Sequence, residues 1–158
     1  MEKPTASPPD EQSLDRHAFV LERLSNDNHR YTTGRHRLVD ALAGSSKPLT
    51  LPDIVAIAPD LAASSVYRNL EVLEQCGVVK RITSGSGHAH FELAEPLLSH
   101  HHHLVCVDCG EIEDVRLDDE VEELLDQHLN MVATDASFKP LRHNLDLQGH
   151  CEKCQDLL

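Results

Sequence analysis

The chain has 158 residues, with five cysteines, twelve histidines, 3% aromatic residues and a formal net charge of −13. That length holds one ordinary domain or two small ones around an aliphatic core, and no apolar run approaches the roughly 20 residues that cross a bilayer. The charge is unevenly placed: residues 1–13 carry −2, residues 14–84 carry +1 and residues 85–158 carry −12, so bulk charge neither supports nor excludes nucleic-acid binding by the first half.

Residues 1–13 are proline-rich and polar, and a disordered extension is expected there. They lack the apolar core of a secretory signal. With an odd cysteine count, this favours a reducing cytoplasm in which paired cysteines serve metal rather than disulfides. Leu14, Ala18, Leu21 and Leu24 predict a first helix. A second runs from Thr32 to Ala43 and ends at Gly44. Thr50-Leu51-Pro52-Asp53 reads as a cap, with a hydroxyl at N-cap, proline in the first turn and an acid at N3, opening a helix over Ile54–Ala58.

Ser64 is expected to cap a helix over Ser65–Gln75, stopped by Gly77. Val66, Leu70 and Leu73 form its inward stripe, while Ser65, Tyr67, Arg68 and Glu71 face outward. Three short helices in this order suit a helix-turn-helix, in which Ser64, Ser65, Tyr67 and Arg68 would reach bases and phosphates of double-stranded DNA. A small helical domain with a surface Tyr-Arg fits the same pattern. Val78–Ile82, a Ser/Gly turn at 84–87 and His88–Leu93 predict a β-hairpin, which makes the unit over 14–94 a winged helix. Alternation places His88, His90 and Glu92 on one face of the second strand, either half of a metal site or a solvated face. Cys76 reads as a small buried hydrophobe.

Glu95-Pro96 marks a hinge over 95–99. Residues 100–158 then read as strand (101–107), cysteine knuckle, strand (111–116), helix (118–130) and strand (141–147). Cys106-x-x-Cys109 and Cys151-x-x-Cys154 let four thiolates converge on one tetrahedral Zn²⁺, with Gly110 relieving the first turn. Two disulfides or four idle thiols are the bland alternative. If the run His100–His103 enters the strand, His100 and His102 go to one face and His101 and His103 to the other, so one run serves two sites. Val121, Leu124, Leu125 and Leu129 predict the helix's buried stripe, with Glu122 on its flank. Leu141, His143, Leu145 and Leu147 share a face of the last strand, where His143 is expected to complete a ligand set. A small sheet with one helix should depend on structural zinc for folding, and its exposed edges suit dimerisation.

Together, Ser65-Val66-Tyr67-Arg68-Asn69-Leu70, Phe91-Glu92-Leu93, the histidine run into Leu104-Val105-Cys106-x-x-Cys109-Gly110 and Gly149-His150-Cys151-x-x-Cys154 resemble the ferric uptake regulator family of metal-dependent repressors. The resemblance spans about residues 14–155. It implies an α+β protein: an N-terminal winged helix-turn-helix domain and a small α/β dimerisation domain with structural zinc, working as a homodimer on a palindromic A·T-rich operator. Residue by residue, it implies Cys106, Cys109, Cys151 and Cys154 as structural zinc ligands. It implies His100, His102, Glu122 and His143 as a site inside the dimerisation domain, and Glu92, His101 and His103 as the sensing site. The family's histidine before the second helix of the helix-turn-helix has no counterpart near Pro48, so His90 or His88 is expected as the substitute ligand. An imidazole at position 102 resembles the zinc-uptake branch and favours Zn²⁺ as the regulatory metal. Fe²⁺, in an iron- or peroxide-sensing member, stays open.

Two rival classes fit the residues less well. His90-Phe91-Glu92 before Cys106-x-x-Cys109 echoes zinc deaminases, but Val105 stands where their proline would be and a closed four-thiolate site leaves no position for water. A metal-storage protein would have no use for the outward Ser65–Leu70 segment. The expectation is therefore a regulator and not an enzyme.

Overall fold

The structure, a computed structural model, describes residues 11–155 apart from residue 86. Most of the expected extension, residues 1–10, lies outside the described residues. The first helix, α1, spans Glu11–Asn26, so it begins before Leu14 and takes in residues 11–13. It is followed by α2 (Thr33–Ala43), β1 (Leu49–Thr50), α3 (Leu51–Ile57), α4 (Ala63–Gln75), β2 (Val79–Thr83) and β3 (Ala89–Leu93). The second half holds β4 (His102–Cys106), β5 (Ile112–Val115), α5 (Asp119–Asp135), β6 (Asp146–Gly149) and α6 (Glu152–Gln155). Between the halves, the expected hinge contains a 3-10 turn over Glu95–Leu97.

Local chemistry sets the first half. Thr32 caps α2. Thr50 and Asp53 form a full capping box on α3, each side chain reaching the other's backbone N–H, with proline in the first turn. Gly77, at φ 68°, takes the left-handed turn that ends α4. One expectation fails at the other end of α4. Its N-cap is Ala62, without a side-chain hydrogen bond, and Ser64 lies inside the first turn. The two-residue strand β1 was not foreseen, because it exists only by pairing with β3. The first sheet has the order β1-β3-β2, all antiparallel. Val20, Leu24, Leu38, Val39, Ile54, Val66, Leu70 and Leu73 are fully buried between the helices and this sheet.

In the second sheet the order is β5-β4-β6. β5 is antiparallel to β4 and β6 is parallel to it. Two expectations are corrected here. The stripe on α5 is not buried within the chain: Val121 is 50% exposed, Leu124 54% and Leu129 39%, and only Ala133 is buried. The last strand is limited to Asp146–Gly149, and Leu141 is 94% exposed. Alternating leucines describe a face, but the described residues supply no layer to cover it. Among the described residues, no helix is long and apolar enough to cross a membrane.

Candidate metal centres

The parallel β4–β6 ladder brings the two cysteine pairs together, because it aligns Cys106 with Gly149 and carries on through a bond from Val107 N–H to the Gly149 carbonyl (2.9 Å). Each pair forms a turn: Gly110 N–H donates to the Cys106 carbonyl (3.0 Å) and Cys154 N–H to that of Cys151 (2.8 Å). Gly110, at φ 74°, takes the left-handed conformation that closes the first turn. All five cysteines are free thiols, and the sulfurs of Cys106, Cys109, Cys151 and Cys154 lie within 4.8 Å of one another. Cys109 Sγ and Cys151 Sγ are 3.7 Å apart. A tetrahedron with Zn–S bonds of about 2.3 Å has edges of about 3.8 Å. Backbone N–H groups of Cys109 and Cys151 hold the Cys106 thiol down to about 6, while hydrogen bonding to the Cys151 sulfur pushes Cys154 up to about 12. One thiolate thus forms readily and the last resists, a conflict that a divalent cation resolves. The four residues fit a structural zinc ion.

Strand alternation divides the histidine run as expected. On one side, Glu122 of α5 faces three imidazoles. Its Oε1 is 2.9 Å from His100 Nε2 and 3.0 Å from His143 Nε2, and its Oε2 is 3.0 Å from His102 Nε2. Glu122 Oε1 and His143 Nε2 are buried yet have no hydrogen-bond partner, despite that 3.0 Å approach. They point at a shared space rather than along a hydrogen bond, which is how converging ligands are arranged. His143 Nδ1 is 3.0 Å from Asp126 Oδ1, the outer partner that fixes a ligating imidazole. Hydrogen bonding to His102 is the main reason that the Glu122 carboxyl lies below its ordinary value. Glu122, and not its neighbours Glu120 or Glu123, is the carboxylate placed among these imidazoles.

On the other side of β4, Glu92 of β3 meets His101 and His103. Glu92 Oε2 lies 3.1 Å from His101 Nε2 and 3.2 Å from His103 Nε2. Asp114 of β5 closes this group, 3.9 Å from His103 and 4.0 Å from His101. Burial pushes the Glu92 carboxyl up, but hydrogen bonds from His103 and His101 outweigh it and leave it below the ordinary range. Burial holds Asp114 above that range. The expected fourth ligand, His90 or His88, does not join this group. Two residues along β3 is a displacement of about 7 Å, and His90 sits instead beside Thr50, its cross-strand neighbour in β1. His88 and His90 line a separate cleft with Lys47, Asp53 and Cys109. Asp114 was missed although the hairpin encodes it: pairing outward from the knuckle sets Val105 opposite Ile112 and His103 opposite Asp114.

Ser64, Ser65, Tyr67 and Arg68 are exposed in the first turns of α4, Tyr67 by 47%. The helix stands on its buried Val66, Leu70 and Leu73, so these four side chains face away from the core.

Residues 26–148 match the model of the ferric uptake regulator family. The chain belongs to that family. Family members are transcriptional regulators, not enzymes, and this chain is a metal-responsive regulator of that kind. It is 32% identical over 141 residues to the peroxide operon regulator of Bacillus subtilis (strain 168), covering 85% of this chain and 90% of that protein. It is 29% identical over 150 residues to the ferric uptake regulation protein of the same organism, covering 91% and 95%. The Helicobacter pylori ferric uptake regulator shares the fold at a TM-score of 0.71 and 22% identity, over 94% of this chain and 97% of that one.

Proposed function

We propose that this family member is a homodimeric DNA-binding repressor whose sensing site is Glu92, His101, His103 and Asp114. The carrying observation is that Glu92 belongs to the wing of the first half while His101, His103 and Asp114 belong to the sheet of the second. A cation bound there supplies the positive charge that lets the buried Glu92 carboxylate and the more exposed Asp114 sit together. Glu92 then ties β3 to β4 and fixes the angle between the halves, and with it the spacing of two α4 helices on a two-fold operator. Ser64 and Ser65 would meet phosphate, and Tyr67 and Arg68 bases or phosphate. Cys106, Cys109, Cys151 and Cys154 would hold structural Zn²⁺, and His100, His102, Glu122 and His143 a further ion within the dimerisation half. The uncovered α5 face, with Val121, Leu124 and Val132 (67% exposed), supports a second copy as its cover.

Two imidazoles with two carboxylates form a harder ligand set than one containing His90 or His88 would be. That set suits Fe²⁺ as the regulatory ion. The names of the two Bacillus relatives, an iron and a peroxide regulator, point the same way. Zn²⁺ is the second reading, favoured by the three imidazoles around Glu122 and by its stronger general affinity. The test is fluorescence anisotropy of a labelled A·T-rich palindromic promoter fragment, with zinc-loaded protein in buffered free Fe²⁺ (anaerobic) or Zn²⁺. Binding that rises with Fe²⁺ supports the first reading, and binding at low free Zn²⁺ the second. Metal-independent binding, or none, overturns the proposal.

A further inference from the structure

The first half holds a group of metal-ligating side chains that none of the sites above uses. His17 of α1 and His36 and Asp40 of α2 each offer a ligand atom, and these lie within 4.8 Å of one another. His17 Nε2 is 2.9 Å from Asp40 Oδ1, and His36 Nδ1 is 3.0 Å from Asp40 Oδ2, so two imidazoles share one carboxylate. His36 and Asp40 are one helical turn apart, the spacing that puts two ligands on one helix face. His17 is carried to them by α1, which buries Val20 and Leu24 just beyond it.

Two further observations separate this group from an ordinary surface ion pair. The His17 and His36 rings stack with centroids 3.7 Å apart and planes inclined by 11°. Two cationic imidazoles would repel in that position, and burial, assisted by His36, keeps the His17 pKa below its ordinary value. Neutral imidazole is the form that a metal ion binds. The other nitrogen of His17, Nδ1, is 2.5 Å from the half-buried Tyr31 hydroxyl. Ligating imidazoles are oriented by such an outer partner. When Nδ1–H donates to the Tyr31 oxygen, the bare Nε2 faces the Asp40 carboxylate, and a cation between them relieves the repulsion.

We propose that His17, His36 and Asp40 form a fourth divalent-cation site, completed by water, which binds a first-row cation of the Zn²⁺ type and pins α1 to α2. Two imidazoles and a carboxylate are a familiar donor set for such ions. The Asp40 side chain is 50% exposed, so an ion enters without opening the core. With three protein ligands, the site is the weakest of the four and fills last. The inference does not depend on the regulatory reading above.

The test is Zn²⁺ titration of the full chain against a chromophoric chelator, carried past saturation of the tighter sites, with circular dichroism confirming the fold. Wild-type protein and the His128→Ala control, which removes an exposed histidine from α5, should both bind one weak equivalent per chain that His36→Ala and Asp40→Ala lose. Tyr31→Phe should keep that equivalent at about 10-fold or more lower affinity, the scale of outer-partner effects. If His36→Ala and Asp40→Ala bind as many equivalents as the wild type, the group is only a hydrogen-bonded surface cluster. If His128→Ala also loses the weak equivalent, the binding is unspecific. Either result overturns the site.

Discussion

The two halves of this chain solve the problem of stability differently. Before Glu95, one continuous core joins helices and sheet, with Leu24, Leu38, Ile54, Leu70 and Leu73 completely buried. After it, the buried apolar cluster shrinks to Val105 and Ile112 with Ile82 from the wing, and the buried places are taken by His102, His103, Cys106 and Cys154. A core of aliphatic side chains is self-sufficient because burial of apolar area is favourable whatever the neighbours. A core of imidazoles, carboxylates and thiols is favourable only when something satisfies their charges and lone pairs. The first half is therefore held by packing, whereas the buried imidazoles and thiols of the second call for cations to satisfy them.

The largest effect that would break this contrast is removal of the cysteine site. Cys106→Ala, or zinc removal by a strong chelator, should unfold the second half, since structural zinc contributes on the order of 10–16 kcal/mol. The first half should keep its helices. Hydrogen exchange resolved by segment checks this, and protection lost equally in α4 and β4 would show that the halves are not separately stabilised. Next in size is Leu70→Ala in the packed core, expected to cost about 2–5 kcal/mol, read as a lower urea midpoint for the helical half with zinc content unchanged.

Smaller effects sharpen the difference between the ion sites. Asp114→Ala should weaken the metal dependence of DNA binding by 10-fold or more, while His90→Ala should leave it within about 2-fold, given a ligand against a non-ligand. Anisotropy titrations of both variants decide, and the reverse order would return His90 to the sensing site. The smallest is Thr50→Ala, which removes the capping box of α3 and should cost about 1 kcal/mol near neutral pH. The Thr50 hydroxyl is the chief reason that the Asp53 carboxyl lies below its ordinary value. A depressed carboxyl stabilises the fold above its unfolded pKa, and that contribution disappears as pH falls through the folded one. The wild-type advantage over Thr50→Ala should therefore narrow below about pH 4. Urea midpoints of both proteins across that range measure it, and a constant difference would remove Asp53 from the account.

What the sequence determined by itself was whatever local geometry governs. Cys-x-x-Cys pairs make knuckles, alternation splits His100–His103 between two faces, and the Thr50–Asp53 box and Gly77 punctuate helices, because each depends on residues a few positions apart. The inward stripe of α4 was legible for the same reason. Only the tertiary structure decided which carboxylate stands beside which imidazole. Asp114 rather than His90 completes the group around Glu92, since strand register and interstrand reach outweigh membership of the same strand face. His17 meets His36 and Asp40 because α1 packs on α2, a contact that no spacing in the chain displays. The uncovered leucines of α5 and of 141–147 belong to the same class. Their periodicity marks an apolar face, and what covers that face is set by the layers available, of which the described residues have none to spare.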